Sequence, residues 1–120
     1  MTSLHELSAA QLSAVYRAGS ASPVEVVTQV IAHIERWEPS LCALYAFDPE
    51  GALQAARESQ ARWRQGTPRS ALDGVPVTIK ENTATRGVPV PAGTAATVLV
   101  PAAEDAPPSA RLREAGCVIL

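Results

Sequence analysis

Polar caps alternate with amphipathic stretches over the first forty residues and predict two helices. The first follows Ser8, whose side chain can cap a helix that runs to Ala18. Apolar residues at Leu12, Val15 and Tyr16 fall on one stripe of that helix. Gly19 is a typical helix stop, so we expect a short helix with one buried face.

A stronger start signal follows at Ser22, where a serine cap precedes Pro23 at the first helical position and Glu25 three residues after the cap. This pattern is a capping box, and it predicts a helix from Pro23 to about Trp37 that Pro39 ends. Its apolar residues form two adjacent stripes, which predicts a broad buried face. The stripes contain Val24, Val27, Ile31 and Ile34, and Val26, Val30 and Trp37.

Beyond Pro39, the pattern predicts a short strand over residues 41–47 and then a third helix. Asp48 and Pro49 open that helix, which we expect to run to about Gln65 before Gly66 and Pro68 break it. Arginines recur in this region, and we interpret them as the solvated side of a helix with no ligand. They are Arg57, Arg62, Arg64 and Arg69.

An Asp-Gly turn at residues 73–74 leads into a short apolar stretch that ends on Lys80. Alternation puts Val75, Val77 and Ile79 on one face of the predicted strand and Lys80 on the other. The next residue, Glu81, would then point to the opposite face and be badly placed to neutralise Lys80. No charged residue lies between Val75 and Ile79, so we expect Lys80 in a dry setting at the end of a strand.

The last forty residues predict a loop, a helix and a strand. No charge occurs between Arg86 and Glu104, so we expect that loop to pack on something, line a site or lie beneath the fold. Residues 105–108 open a helix in which Ser109 would cap or be solvated, and Gly116 stops it. Residues 117–120 then read as a buried strand. A helix between two apolar strands predicts a parallel crossover and an α/β fold in which N-terminal helices precede the first strands of a mixed sheet.

Composition limits the function. The chain has 120 residues, 47% of them hydrophobic, which suits one globular domain or part of one. A net charge of −2 argues against direct binding to nucleic acid or to a membrane surface. The N-terminus lacks a secretory signal, so we expect a cytoplasmic protein. We interpret Cys42 and Cys117 as small buried residues. His5 and His33 have no partner at metal-ligand spacing, so we predict no metal and no cofactor.

Taken in order, several segments resemble the N-terminal part of the amidase signature family, the serine hydrolases that cleave carboxamides. The core of the resemblance is residues 74–82, which contain Lys80. Around this core, residues 12–27 resemble the family's first two helices and residues 51–56 its alanine-rich third helix. Residues 91–94 resemble the loop after the lysine strand, and residues 110–120 the helix and strand that follow.

The resemblance implies a function for Lys80. In this family a lysine acts through a second serine, held on a cis peptide, to take the proton of the nucleophilic serine, so Lys80 is the catalytic residue that the sequence offers. A base must be uncharged, which for a lysine at neutral pH requires a preference of about 4 kcal/mol for the neutral form. The family places both serines beyond the strand at 117–120. We therefore expect residues 1–120 to be the N-terminal portion of a single amidase-signature domain, inactive alone, whose complete enzyme takes a small-molecule amide.

Two further interpretations stay open at this point. The chain resembles, within the same family, the amidase-like subunit of a glutamine-dependent amidotransferase that works with transfer RNA. It can also be read as a small α/β interaction module without catalysis, or as the relic of a truncated reading frame, in which Lys80 is structural. The amide substrate, the oligomeric state and the oxyanion-hole residues do not follow from the sequence.

Overall fold

The computed structural model describes residues 2–120, and its N-terminal part consists of helices. A short 3₁₀ helix, Leu4–Glu6, precedes α1 (Ala9–Ala18). The Ser8 hydroxyl accepts a hydrogen bond from the Gln11 amide at 3.3 Å, and Gly19 ends α1 with a φ of +68°. Both ends of this helix were predicted and are confirmed.

The second helix, α2 (Pro23–Leu41), begins as predicted but runs further than predicted. The Ser22 hydroxyl accepts from the Glu25 amide at 3.2 Å, and the Glu25 carboxylate accepts from the Ser22 amide at 2.8 Å, so the capping box is confirmed. Pro39 lies inside the helix, and the prediction that it ends there was wrong. Proline has no backbone N–H, so it removes one hydrogen bond from the helix. Pro39 is tolerated because it lies close to the end of α2, where little of the helix remains to be distorted.

Cys42 and the segment after it also differ from prediction. Cys42 closes α2 in the left-handed region, with a φ of +48°, and its thiol is exposed rather than buried. Residues 42–48 connect α2 to the next helix without strand pairing, so the strand predicted over 41–47 is wrong. The Glu38 carboxylate accepts from the Leu44 amide at 2.7 Å, and this contact satisfies a backbone group that a strand partner would otherwise take.

The third helix, α3 (Pro49–Arg64), packs against α2 to form the main core. Ala52 and Ala56 of α3 are buried against Val27 and Ile31 of α2, and Val118 completes this cluster. Alanine at the contact lets two helices approach closely, which explains the alanine-rich sequence of α3. A second cluster contains Leu12, Tyr16, Val26 and Val75 and joins α1 to the start of the first strand.

The strands β1 (Pro76–Val77) and β2 (Val118–Ile119) pair in parallel, with α4 (Pro107–Glu114) between them in the chain. Pro76 is opposite Val118 and Val77 is opposite Ile119. The α/β class and the parallel crossover are therefore confirmed. Both strands are shorter than predicted, and within residues 2–120 the sheet consists of these two strands.

The long connection between β1 and α4 is uncharged over residues 87–103 and exposed at its tip. Bridges between Arg86 and Ala102 and between Pro89 and Pro101 bring the two arms of this loop together. Beyond them Val98, Leu99 and Val100 are 83%, 59% and 66% exposed, so the apolar side chains of the tip are largely exposed within the described residues. The helices of residues 2–120 include none that is long and apolar enough to cross a membrane.

Candidate functional site

The candidate site lies where the chain leaves β1. The backbone pairing ends at Val77, whose carbonyl accepts from the Leu120 amide at 3.0 Å. Residues 78–80 continue without a strand partner, and a turn follows in which the Thr83 amide donates to the Lys80 carbonyl at 2.9 Å. Lys80 therefore stands between a strand end and a turn, where parallel sheets commonly carry functional side chains.

The Lys80 side chain is exposed, which differs from the dry setting that the sequence suggested. Its exposed fraction is 71%, and its Nζ donates to Oε2 of Glu81 at 3.0 Å. The expectation that Glu81 could not reach Lys80 was also wrong. It assumed strand alternation as far as residue 81, whereas β1 ends at Val77 and the backbone turns.

Glu81 is itself held in an ionised state. The hydrogen bond from Lys80 keeps the pKa of Glu81 below its usual range, and the charge of Lys80 adds to this effect. The Glu81 side chain is 24% exposed, and its carboxylate lies near Gly93 of the following loop. The amine and the carboxylate therefore form an ion pair at the end of β1.

An open groove begins at this ion pair. It has a volume of about 770 Å³, and most of its lining residues have apolar side chains. Lys80 and Glu81 lie among its lining residues, which also include Leu44, Phe47, Ile79 and Leu120. The groove can therefore present an amine to a ligand or a polypeptide segment that brings apolar groups with it.

The opposite end of β1 contains a buried ion pair that the sequence reasoning missed. Asp73 is completely buried, and its carboxylate accepts from Nε and Nη2 of Arg62 at 2.7 and 2.6 Å. Arg62 had been interpreted as part of a solvated arginine face, and that interpretation was wrong for this residue. The signal in the sequence was an aspartate directly before an apolar strand, with arginines on the preceding helix.

Two other side chains bear on the predicted chemistry. Ser109 is completely buried, and its Oγ lies 3.2 Å from Oγ1 of Thr85, so the expectation that it caps a helix or is solvated was wrong. Cys117 is buried as predicted. Burial, with a further contribution from the charge of Asp73, raises the pKa of the Cys117 thiol and keeps it unreactive.

Within residues 2–120, the hydrogen-bond partner of the Lys80 amine is the Glu81 carboxylate and not a serine. Residues 2–120 also hold no group of three or more His, Cys, Asp and Glu side chains that could bind a metal ion. What this part can supply chemically is an amine at the mouth of an apolar groove.

Comparison with known proteins gives consistent results. A sequence model for the family described as Amidase matches residues 25–120. A glutamyl-tRNA(Gln) amidotransferase subunit from Salinispora tropica is 38% identical over 120 residues, which is all of this chain and 24% of the relative. The protein of the same name from Myxococcus xanthus is 42% identical over 90 residues, which is 75% of this chain and 18% of the relative. The chain thus spans about a quarter or less of these curated relatives.

Solved structures agree with the sequence matches. The peptide amidase of Stenotrophomonas maltophilia superposes with a TM-score of 0.79 at 32% identity, covering 96% of this chain and 24% of that one. A bacterial aryl acylamidase gives a TM-score of 0.85 at 26% identity, covering 98% of this chain and 25% of that one. The arrangement of α1 to β2 is therefore one that occurs within larger enzymes.

Proposed function

Because the chain belongs to the amidase signature family, we propose that it forms the amino-terminal part of one catalytic domain that hydrolyses the C–N bond of carboxamides. The substrate of this domain is a small-molecule amide, and the domain works in the cytoplasm. The observation that carries this proposal is the position of Lys80, an amine at the end of β1 that opens onto an apolar groove. The match over residues 25–120 supports it, because that match includes Lys80.

In the proposed reaction, Lys80 acts as a base. Its uncharged amine accepts the proton of a serine hydroxyl through a second serine, and the first serine's oxygen attacks the amide carbonyl carbon. The C–N bond breaks, the departing nitrogen takes up the proton, and water then hydrolyses the acyl–serine ester. Residues 1–120 contribute the amine, and both serines come from polypeptide outside this sequence.

The surroundings of Lys80 set a condition for this role. The Lys80 amine is 71% exposed and contacts the Glu81 carboxylate at 3.0 Å, whereas the proposed base contacts a serine. The proposal therefore requires that further polypeptide enter the groove, displace water and draw the amine away from Glu81. In residues 2–120 the amine is 71% exposed and has Glu81 as its hydrogen-bond partner, so we expect the 120-residue chain alone to be inactive.

The test uses the longest reading frame that contains this sequence, assayed on simple carboxamides. Lys80→Ala removes the base, and general acid–base catalysis supplies about 10²- to 10⁴-fold, so kcat should fall by about that factor. Arg111→Ala is the matched control, because Arg111 is 72% exposed and pairs with Glu114 at 2.8 Å. It should leave kcat unchanged. A folded Lys80→Ala protein with full turnover would remove Lys80 from the mechanism and favour a structural role in a non-catalytic module.

A second candidate function follows from the names of the relatives. Proteins that are 38% and 42% identical to this chain are subunits of a Glu-tRNA(Gln) amidotransferase. In that case the amide substrate is glutamine, and the catalytic domain works with partner subunits. Ammonia release from glutamine in preference to simple amides, together with co-purification of a partner subunit, would favour this function over a freestanding amidase.

A further inference from the structure

The turn before β1 is fixed by its buried side chain. The Asp73 carboxylate accepts three hydrogen bonds, from Nε and Nη2 of Arg62 at 2.7 and 2.6 Å and from the Arg69 amide at 2.7 Å. The Asp73 side chain has no exposed surface, while that of Arg62 is 20% exposed. A buried carboxylate with two hydrogen-bonded oxygens can adopt few other positions, because each alternative leaves a charge without partners.

The main chain of the same turn is held from three other directions. The Trp63 indole donates to the Asp73 carbonyl at 3.0 Å, and the Tyr16 hydroxyl donates to the Gly74 carbonyl at 3.0 Å. The Gly74 amide donates to the Gly116 carbonyl at 2.9 Å. Helices α1 and α3 and the residue that leads into β2 thus converge on two consecutive peptide units.

There is no free space around this turn. A Cβ on Gly116 would lie 2.6 Å from Oδ1 of Asp73, and a Cβ on Gly74 would lie 2.6 Å from Oγ of Ser59 and 2.8 Å from Cγ of Pro23. Both glycines have positive φ, +84° for Gly74 and +88° for Gly116. The glycines allow the close approach that lets the carboxylate sit between α3 and β2.

The ladder between β1 and β2 is too short to fix its own register. It contains two residue pairs, and a slip of one residue would exchange the faces of Pro76 and Val77 and change the direction in which the chain leaves β1 toward Lys80. We propose that Asp73 is a positioning residue that sets the register of β1 on β2 and thereby the side on which Lys80 emerges. The consequence for catalysis rests on the proposed function, whereas the effect of Asp73 on the strand register does not.

The charge of Asp73 is required as well as its shape. An amide in its place would present an NH₂ group to a guanidinium that is also a donor, so one of the two hydrogen bonds would be lost. Asp73→Asn therefore keeps the volume of the side chain and removes its paired hydrogen bonds with Arg62. Asp105→Asn is the matched control, because Asp105 accepts from Arg113 at 2.9 and 3.2 Å and from the Arg86 amide at 2.8 Å, away from β1.

The experiment compares both variants with the unmodified 120-residue chain, each at a concentration at which light scattering shows the 12.6 kDa monomer. Hydrogen exchange is followed in α2 and at residues 117–120, where the Val118 amide bonds to the Val75 carbonyl and the Leu120 amide to the Val77 carbonyl. Lys80 is the only lysine in the sequence, so selective ¹⁵N-lysine labelling gives one backbone signal for it. Asp73→Asn should speed exchange over 117–120 about tenfold more than in α2 and shift the Lys80 signal. Asp105→Asn should do neither.

Uniform loss of protection across the chain, or an unchanged Lys80 signal in a folded Asp73→Asn protein, would overturn the proposal. Should Asp73→Asn not fold, Gly116→Ala decides the matter, since its Cβ would displace the Asp73 carboxylate with every charge kept. Gly66→Ala is its control, because Gly66 has a φ of +71° and no atom within 4 Å of an added Cβ. Gly116→Ala should give the same local loss and the same Lys80 shift, and Gly66→Ala neither.

The test of the strand register can fail or succeed independently of the proposed function, because neither hydrogen exchange nor the Lys80 signal requires catalytic activity. An inactive protein, or one indifferent to Lys80→Ala, would end the proposed function and leave the register measurement valid. In an active enzyme, Asp73→Asn assayed where it remains folded should lower kcat more than it raises KM. Misplacing a base weakens the transition state rather than substrate binding.

Discussion

At the scale of single residues, the two most consequential side chains differ in how far the sequence could identify them. Lys80 was identified from its neighbours along the chain, because the strand pattern and the resemblance both include it. Its surroundings were not predicted, since the end of β1 at Val77 and the turn to Glu81 depend on tertiary pairing. Asp73 was missed, because its partner Arg62 lies 11 residues away and burial alone distinguishes it from an ordinary turn residue.

The buried carboxylate makes the stability of the fold depend on pH. Burial alone would raise the pKa of Asp73, but hydrogen bonds from Arg62 and from the Arg69 amide outweigh it, so the pKa is lowered. The unfolded chain therefore binds a proton at a higher pH than the native one does. The stabilisation is fully present above the unfolded pKa, about 3.9, and is lost as pH falls through the lower folded pKa.

Urea unfolding at a series of pH values checks this dependence. At pH 7, Asp73→Asn should lower the free energy of unfolding by about 3–5 kcal/mol, because it leaves the Arg62 charge poorly paired. The difference from the unmodified chain should shrink as pH falls below about 4. Glu114→Gln is the control, since Glu114 is 62% exposed in its pair with Arg111 and surface pairs contribute little. A difference that stays constant down to pH 2 would contradict the assignment.

At the scale of elements, local signals predicted where helices begin better than where they end. The starts of α1 and α2 at Ser8 and Ser22 are set by side chains that bond within three residues, so sequence alone contains the cause. The continuation of α2 past Pro39 and the absence of a strand over 41–47 depend on contacts that sequence does not display. One of these is the bond from the Leu44 amide to Glu38.

The capping box of α2 should contribute measurably to stability. Ser22→Ala removes the hydroxyl that accepts from the Glu25 amide and donates to its carboxylate at 2.7 Å. Loss of such a cap costs about 1 kcal/mol, which for a domain of this size lowers Tm by about 4 °C. Thermal unfolding followed by circular dichroism measures the change. Thr28→Ala, at an exposed position of the same helix, should leave Tm unchanged or slightly raised. Equal effects of the two substitutions would count against the capping role.

At the scale of the whole molecule, the crossover from β1 through α4 to β2 was predictable because two apolar strands flanked one helix. Parallel pairing and its hand follow from general rules for such units. The number of strands in the sheet was not predictable, since strand pairing depends on tertiary contacts, and residues 2–120 show β1 and β2 as its strands. The relatives of this chain are four to five times as long as the part of them that it matches.

A protein that consists of residues 1–120 should therefore self-associate. Within residues 2–120 the two-stranded sheet leaves the outer edge of β2 unpaired, and the apolar strand residue Ile119 is only partly buried. A lysine on an edge strand opposes pairing with another copy, so Ile119→Lys should shift light scattering toward the 12.6 kDa monomer. Leu99→Lys places the same charge on the exposed loop tip, where Leu99 is 59% exposed, and should leave the association in place. The strand-edge explanation fails if the unmodified chain is a sharp monomer with cooperative melting, or if Leu99→Lys alone disperses it.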